Sequence, residues 1–279
     1  MMANSPPIRR QLVGATLRRY REAFGCTLAD AAAALDCDRS KMWRIESGER
    51  GIRPEELRAL LAEYGADQSS QAALLTMADP SGTIGWWSGH DCLSEADQEY
   101  MALEALSVQA CYYSPLHIPE LLQAPAYAEA CHDADAVTTT TGTPSPAVEA
   151  ILARQDAILD GTRDLAAVIT EAALRQAVGR PYVLQQQAAH LAGLAEAGWV
   201  DIHILPLGAL AHPAPTIGAF SILRFSATAG ISVAHVPGIT TGQFLTGKTA
   251  ARCAHTFEHL RAYALPQEES IAFFRTLAA

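Results

Sequence analysis

Residues 27–48 read Thr27-Leu-Ala-Asp-Ala-Ala-Ala-Ala-Leu-Asp-Cys-Asp-Arg39-Ser-Lys-Met-Trp-Arg-Ile-Glu46-Ser-Gly48, and the fold of the N-terminal part turns on how this stretch is read. Thr27 stands where an N-cap does, with Asp30 three residues on to return a hydrogen bond to it, so a helix is expected over 28–35. Asp36-Cys37-Asp38 marks a turn, and 39–47 a second helix closed by Gly48. Alanines at 29 and 31–34 permit close crossing by another helix, as a helix-turn-helix corner requires. In the second helix Met42 and Ile45, at i and i+3, point back to a core. That leaves Arg39, Ser40, Lys41, Trp43 and Arg44 on the outer face. Guanidinium forks match guanine edges, a hydroxyl can reach a base, and an ammonium suits a phosphate, so these residues together with Thr27 form a candidate DNA-binding set.

The flanking residues complete a small helical unit. Val13, Leu17, Tyr20 and Phe24 recur at the spacing of one helix face, with Arg9, Arg10, Arg18 and Arg19 mostly off it, and Gly25 ends that helix. Arg53-Pro54-Glu55-Glu56 opens another helix, with proline near its first position and carboxylates in its first turn, followed by the stripe Leu57, Leu60, Leu61 and Tyr64. A fifth helix is expected over 67–79, with Ala72, Leu75 and Met77 apolar. Pro80-Ser-Gly82 then breaks the chain. The expected division is a helix-turn-helix domain with linker helix over 1–79, its DNA-reading part at 9–65, and a larger domain over 80–279.

The bulk properties agree with two folded domains: 279 residues, 49% hydrophobic and 18% charged. No membrane span or secretory leader is read, so a cytoplasmic protein is expected. Cysteines at 26, 37, 92, 111, 131 and 253 form no C-x-x-C pair and suit neither a disulfide framework nor a thiolate zinc site. The net charge of −10 argues against a general nucleic-acid binder, but its distribution is uneven. Residues 1–65 hold eleven Lys and Arg against nine Asp and Glu, leaving nine against twenty-one in the rest. A basic head on an acidic body weakens non-specific DNA binding and leaves specificity to a few contacts and to dimerisation.

The larger domain alternates helix and strand signals. Helices are expected over 95–110, from Ile118 onward, and over 147–159, 171–178, 181–197, 248–263 and 267–277. Strands are expected over 111–113, 165–170, 200–205, 219–225 and 231–236, and a loop over 137–146. The fold class is therefore mainly α, a five-helix N-terminal domain followed by an α+β domain with a small sheet.

The segments Thr27–Ala32 and Arg39–Gly48, ending Ile45-Glu46-Ser47-Gly48, resemble the XRE (Cro/repressor-like) helix-turn-helix family. The resemblance implies a structural ion pair between Arg21 and Glu46, base reading by Arg39, Ser40 and Arg44, and a backbone contact by Lys41. Leu28 and Trp43 depart from that family's glutamine and small residue, and Asp36 and Asp38 bring negative charge near. Gly85-Trp86-Trp87, Leu103-Glu104, Ile118-Pro119-Glu-Leu-Leu-Gln123, Arg154-Gln155, Glu171-Ala-Ala-Leu-Arg175, Ile204-Leu-Pro206, Gly218-Ala-Phe220 and Leu260–Leu265 are similar to actinobacterial antitoxin-like regulators that carry a C-terminal domain of unknown function. That similarity implies a small partner protein encoded nearby. Glu120, Ala124 and His235 depart from its usual glycine, threonine and acid.

Chemistry elsewhere is sparse. His255 and His259 lie four apart but lack a third ligand at motif spacing, and Cys131-His132-Asp133 are neighbours in sequence rather than a spatial triad, so no metal, cofactor or catalytic residue is assigned. Trp86, Trp87, Tyr112, Tyr113, Glu120, Arg154, Glu171 and Arg175 form a candidate ligand pocket, with Arg154 and Glu171 a candidate buried pair. The reading is a homodimeric DNA-binding transcriptional regulator whose C-terminal domain senses a small-molecule effector or a partner protein. The competing readings are an enzyme or ligand-handling protein, for example in secondary metabolism, on a scaffold that no longer binds DNA, and a pure protein-interaction module.

Overall fold

The computed structural model describes residues 7–79, 84–135, 145–209, 212–226, 231–238 and 242–279. The expected breaker at 80–82 and most of the expected loop at 137–146 lie outside them. Internal contacts divide the chain into two compact units, 1–84 with 224–232, and 85–223 with 233–279.

The first unit holds α1 (Ile8–Phe24), α2 (Leu28–Ala34), α3 (Arg39–Glu46), α4 (Pro54–Glu63) and α5 (Gln68–Ala78). The Thr27 side chain accepts a hydrogen bond from Asp30 N–H and the Asp30 carboxylate accepts one from Thr27 N–H, closing the expected capping box on α2. Leu12, Leu17, Met42, Ile45, Leu57, Leu60, Leu61 and Leu74 are its buried centre. The inward face of α1 is rotated from the expected stripe. Leu12, Val13, Thr16, Leu17 and Arg21 are buried, and so is Arg9, whereas Phe24 is exposed and its ring lies 6.0 Å from that of Tyr64. In α5 the buried apolar residues are Leu74 and Met77 rather than Ala72 and Leu75.

Only Ala31 and Ala32 of the alanine run are buried. The close crossing comes from α1, where a Cβ on Gly14 would drive into the backbone carbonyls of Ile45 and Glu46 in α3. Gly48, at φ +78, plays the reciprocal part, because a Cβ there would meet the backbone of Gln11.

The second unit is built on a mixed sheet of six strands: β1 (Gln109–Ser114), β2 (Asp164–Thr170), β3 (Asp201–Leu205), β4 (Phe220–Arg224), β5 (Ser232–Val236) and β6 (Gln243–Leu245). Their spatial order is β3-β2-β1-β4-β5-β6. β1 runs parallel to β2 with Tyr112 opposite Ala167, β2 parallel to β3 with Val168 opposite His203, and β5 antiparallel to β6. Crossovers through α7 (Pro125–Asp135) and α8 (Pro146–Ile158), then α9 (Glu171–Arg175) and α10 (Pro181–Glu196), join the parallel strands. β1 and β2 are buried almost throughout, which explains their near-continuous apolar sequences. Cys111, Tyr113, Val168 and Ile222 pack with Phe257 and Leu260 of α11 (Gly247–Tyr263), and α12 (Gln267–Ala278) packs on α10.

Three boundaries differ from expectation for local reasons. α6 (Glu95–Leu106) stops short of 110 because the Ser107 hydroxyl turns back to the Glu104 carbonyl and β1 begins at Gln109. The helix expected from Ile118 is a single 3₁₀ turn, Glu120–Leu122, because Pro125 biases Ala124 away from helical dihedrals and starts a new helix. α9 ends at Arg175 rather than 178, with Gln176 extended and Gly179 at φ +62.

Candidate functional site

The outer face of α3 is the first candidate. Asp38 caps the helix by accepting from the Lys41 N–H, and Asp36 sits in the turn at φ 47. Arg39, Ser40, Trp43 and Arg44 are all exposed, Trp43 by 52%. Among the described residues neither Arg39 nor Arg44 forms an ion pair, and Arg44 Nε donates only to the Ser40 carbonyl, at 3.3 Å. Asp36 and Asp38 therefore do not neutralise either guanidinium.

Two members of the expected set are engaged otherwise. Lys41 Nζ donates to Glu56 Oε1 at 2.8 Å, and Arg53 Nη2 reaches the same oxygen at 2.9 Å. Hydrogen bonds from Arg53, opposed by burial and helped by Lys41, hold the Glu56 carboxyl down to about 2. Lys41 is thus part of a clasp between α3 and α4. The Thr27 hydroxyl donates to Asp30 at 2.7 Å within the cap. Arg21 and Glu46 form the expected pair, with Nε and Nη2 donating to the two carboxylate oxygens at 2.7 and 2.9 Å while Nη1 holds the Cys26 carbonyl. This bidentate bond ties the end of α3 to α1.

The second candidate is a cavity of about 270 Å³ within the second unit, at the end of β1. Here the strand order reverses, since β2 and β3 lie to one side of β1 and β4 to the other; such switch points are where open α/β sheets place ligands. Tyr100, Tyr112, Phe220 and His235 supply ring surface, and Asp97, Glu120 and Arg154 supply charge. Arg154 is 5% exposed and Glu104, behind it, 1%. Arg154 Nε and Nη2 each donate to Glu104 at 2.7 Å, and Nη1 donates to Glu120 at 3.1 Å. Tyr100 and Tyr112 also donate to Glu104, at 3.2 and 2.8 Å, and Ser221 lies 3.0 Å from the Tyr100 hydroxyl. Burial first, then the charge of Glu104, raises both phenols far above neutral pH, so both remain donors. The His235 ring lies between Tyr100, at 4.6 Å, and Phe244, at 5.0 Å, with Gly242 flush against its edge. Tyr113 lines the same cavity, and its buried hydroxyl has no hydrogen-bond partner among the described residues.

Of the eight residues read as a pocket, Tyr112, Tyr113, Glu120 and Arg154 meet at this cavity. Trp86 and Trp87 do not line it; they form a 3₁₀ turn, Trp86–Gly89, that packs on α6 and α8. Glu171 and Arg175 pair with each other at 2.7 Å, Glu171 also accepts from Leu207 N–H, and Arg175 borders a separate cavity with Leu174 and Pro181. The buried partner of Arg154 is therefore Glu104 rather than Glu171, because α6 and α8 lie side by side while α9 follows β2. Sequence reasoning passed over Tyr100, Glu104, Ser221 and His235 as site residues. One signal was present: Glu104 interrupts the apolar run Met101-Ala-Leu103 and sits one turn from Tyr100. Of the departures noted from sequence, Glu120 and His235 both line the cavity.

His255 and His259 stack at 5.9 Å, and among the described residues no His, Cys, Asp and Glu cluster could hold a metal ion. Among the described residues no helix is long and apolar enough to cross a membrane. Comparison with known proteins finds a family model described as a domain of unknown function (DUF5753) over residues 97–276 and one described as a helix-turn-helix domain over residues 12–74. No curated protein and no solved structure matches the chain.

Proposed function

Because the chain belongs to the DUF5753 family and carries a helix-turn-helix domain ahead of it, we propose that it is a cytoplasmic transcriptional regulator of the XRE type. In this reading a homodimer presents two copies of α3 to an operator, and the second unit senses a small molecule through the cavity at β1 or takes a small partner protein. The carrying observation is the unpaired, exposed placement of Arg39 and Arg44 on one side of α3, with Ser40 and Trp43 between them. Arg39 and Arg44 would hydrogen-bond guanine edges, Ser40 a base or phosphate oxygen, and Trp43 would pack on a sugar or a thymine methyl. The two heads of a dimer would sit on half-sites about 34 Å apart, and an effector that favours one head orientation would shift operator affinity.

The test titrates the full chain against DNA from upstream of its own gene at two salt concentrations. Arg39→Ala and Arg44→Ala should each weaken specific binding by about 1–3 kcal/mol and flatten its sequence preference. A chain that shows no sequence-specific binding even at low salt overturns the reading and favours a ligand-handling protein on a retired scaffold.

A further inference from the structure

We propose that the cavity at the end of β1 takes a small organic cation, an amine whose ammonium lies against Asp97 and Glu120 and whose apolar body lies on Tyr100, Phe220 and the His235 ring. This deepens the sensing role proposed above and rests on it for its biological consequence, though not for its test.

Charge is the first argument. The cavity and the network behind it bring three carboxylates, Asp97, Glu104 and Glu120, against one guanidinium, that of Arg154. Arg154 is already matched by the bidentate bond to Glu104, and its third nitrogen is taken by Glu120, so it offers little to an incoming anion. Asp97 accepts from Ser94 with one oxygen in the cap of α6, while Glu120 has a half-exposed side chain whose one bond among the described residues is to Arg154. Burial lowers the proton affinity of His235, and the charge of Arg154 acts the same way, so this imidazole adds no positive charge at neutral pH.

Ring surface is the second argument. Aromatic faces attract ammonium groups, and the Tyr100 ring already lies 5.3 Å from one cation, the Arg154 guanidinium, so Phe220 and the carboxylate side of the cavity are what an ammonium ligand would add to; the volume of about 270 Å³ suits only a small ligand. Gly242 keeps the wall open, since a Cβ there would collide with the His235 ring.

The test uses calorimetry on the full chain without DNA, with three probes of one shape: 2-phenylethylammonium, 2-phenylethanol and 3-phenylpropionate. The ammonium should bind about tenfold more tightly than the alcohol, and the carboxylate most weakly. Glu120→Gln should weaken the ammonium several-fold and leave the alcohol nearly unchanged, and Asp97→Asn, which keeps an acceptor for Ser94, should do the same. Gly242→Ala should weaken all three. Equal affinities, a preference for the carboxylate, or no binding of any probe at millimolar concentration overturns the proposal. None of these outcomes bears on the operator titration, and failure of the operator titration leaves this result standing.

Discussion

Lys41 and Arg44 stand three residues apart on α3 and have different fates. Arg44 extends into solvent, whereas the Lys41 ammonium is held by a carboxylate that is only 8% exposed. A side chain held by a partly buried partner loses that partner's attraction when it reaches for a phosphate, so the clasp competes with DNA for Lys41. Lys41→Met should therefore lower stability to urea by about 1–2 kcal/mol while changing operator affinity much less than Arg39→Ala or Arg44→Ala. A large affinity loss with unchanged stability would restore Lys41 to the DNA contacts. The exposed positions of Arg39 and Arg44 were legible in sequence because helical periodicity separates faces. The capture of Lys41 was not, since Glu56 lies fifteen residues away and looks like ordinary first-turn acid.

At the scale of elements, α3 is held on two sides: by the Arg21–Glu46 pair against α1 and by the Lys41–Glu56–Arg53 clasp against α4. The Glu56 carboxyl, ordinarily near 4.5, is held down to about 2 in the fold. A depressed carboxylate stabilises fully above its unfolded value, and that stabilisation is lost as pH falls through the folded one. The clasp should therefore contribute about 2 kcal/mol at neutral pH and fade between roughly pH 4.5 and 2. Urea midpoints of the parent and of Glu56→Gln should differ at pH 7 and converge as the pH approaches 2.5. A difference that is constant with pH would mean that packing, rather than charge, is what the glutamate supplies. The strand runs in β1 and β2 were readable because burial on both faces leaves a nearly continuous apolar sequence. β6 was not, since three residues carry no period.

At the scale of the molecule, the proposed operator reading requires two copies, because one short reading helix provides few base contacts and the acidic second unit opposes non-specific attraction to DNA. Sedimentation at micromolar concentration should give a particle of twice the 29.8 kDa chain, and operator affinity should fall with added salt as the few phosphate contacts release counterions. A monomer that binds the operator as tightly as its dimer would remove dimerisation from the mechanism.

Sequence alone determined what depends on neighbours within a turn or two: the caps on α2 and α4, the helical faces of the first unit, the Arg39 and Arg44 array, and the alternation of helices and strands in the second. Tertiary structure alone decided which distant groups meet. Glu104 could pair with Arg154 only once α6 and α8 lay side by side, and Gly14 could matter only once α3 lay across it. The physical reason is that hydrogen bonds and caps within an element are set by spacing along the chain, whereas a buried charge takes whichever partner the fold brings within about 3 Å.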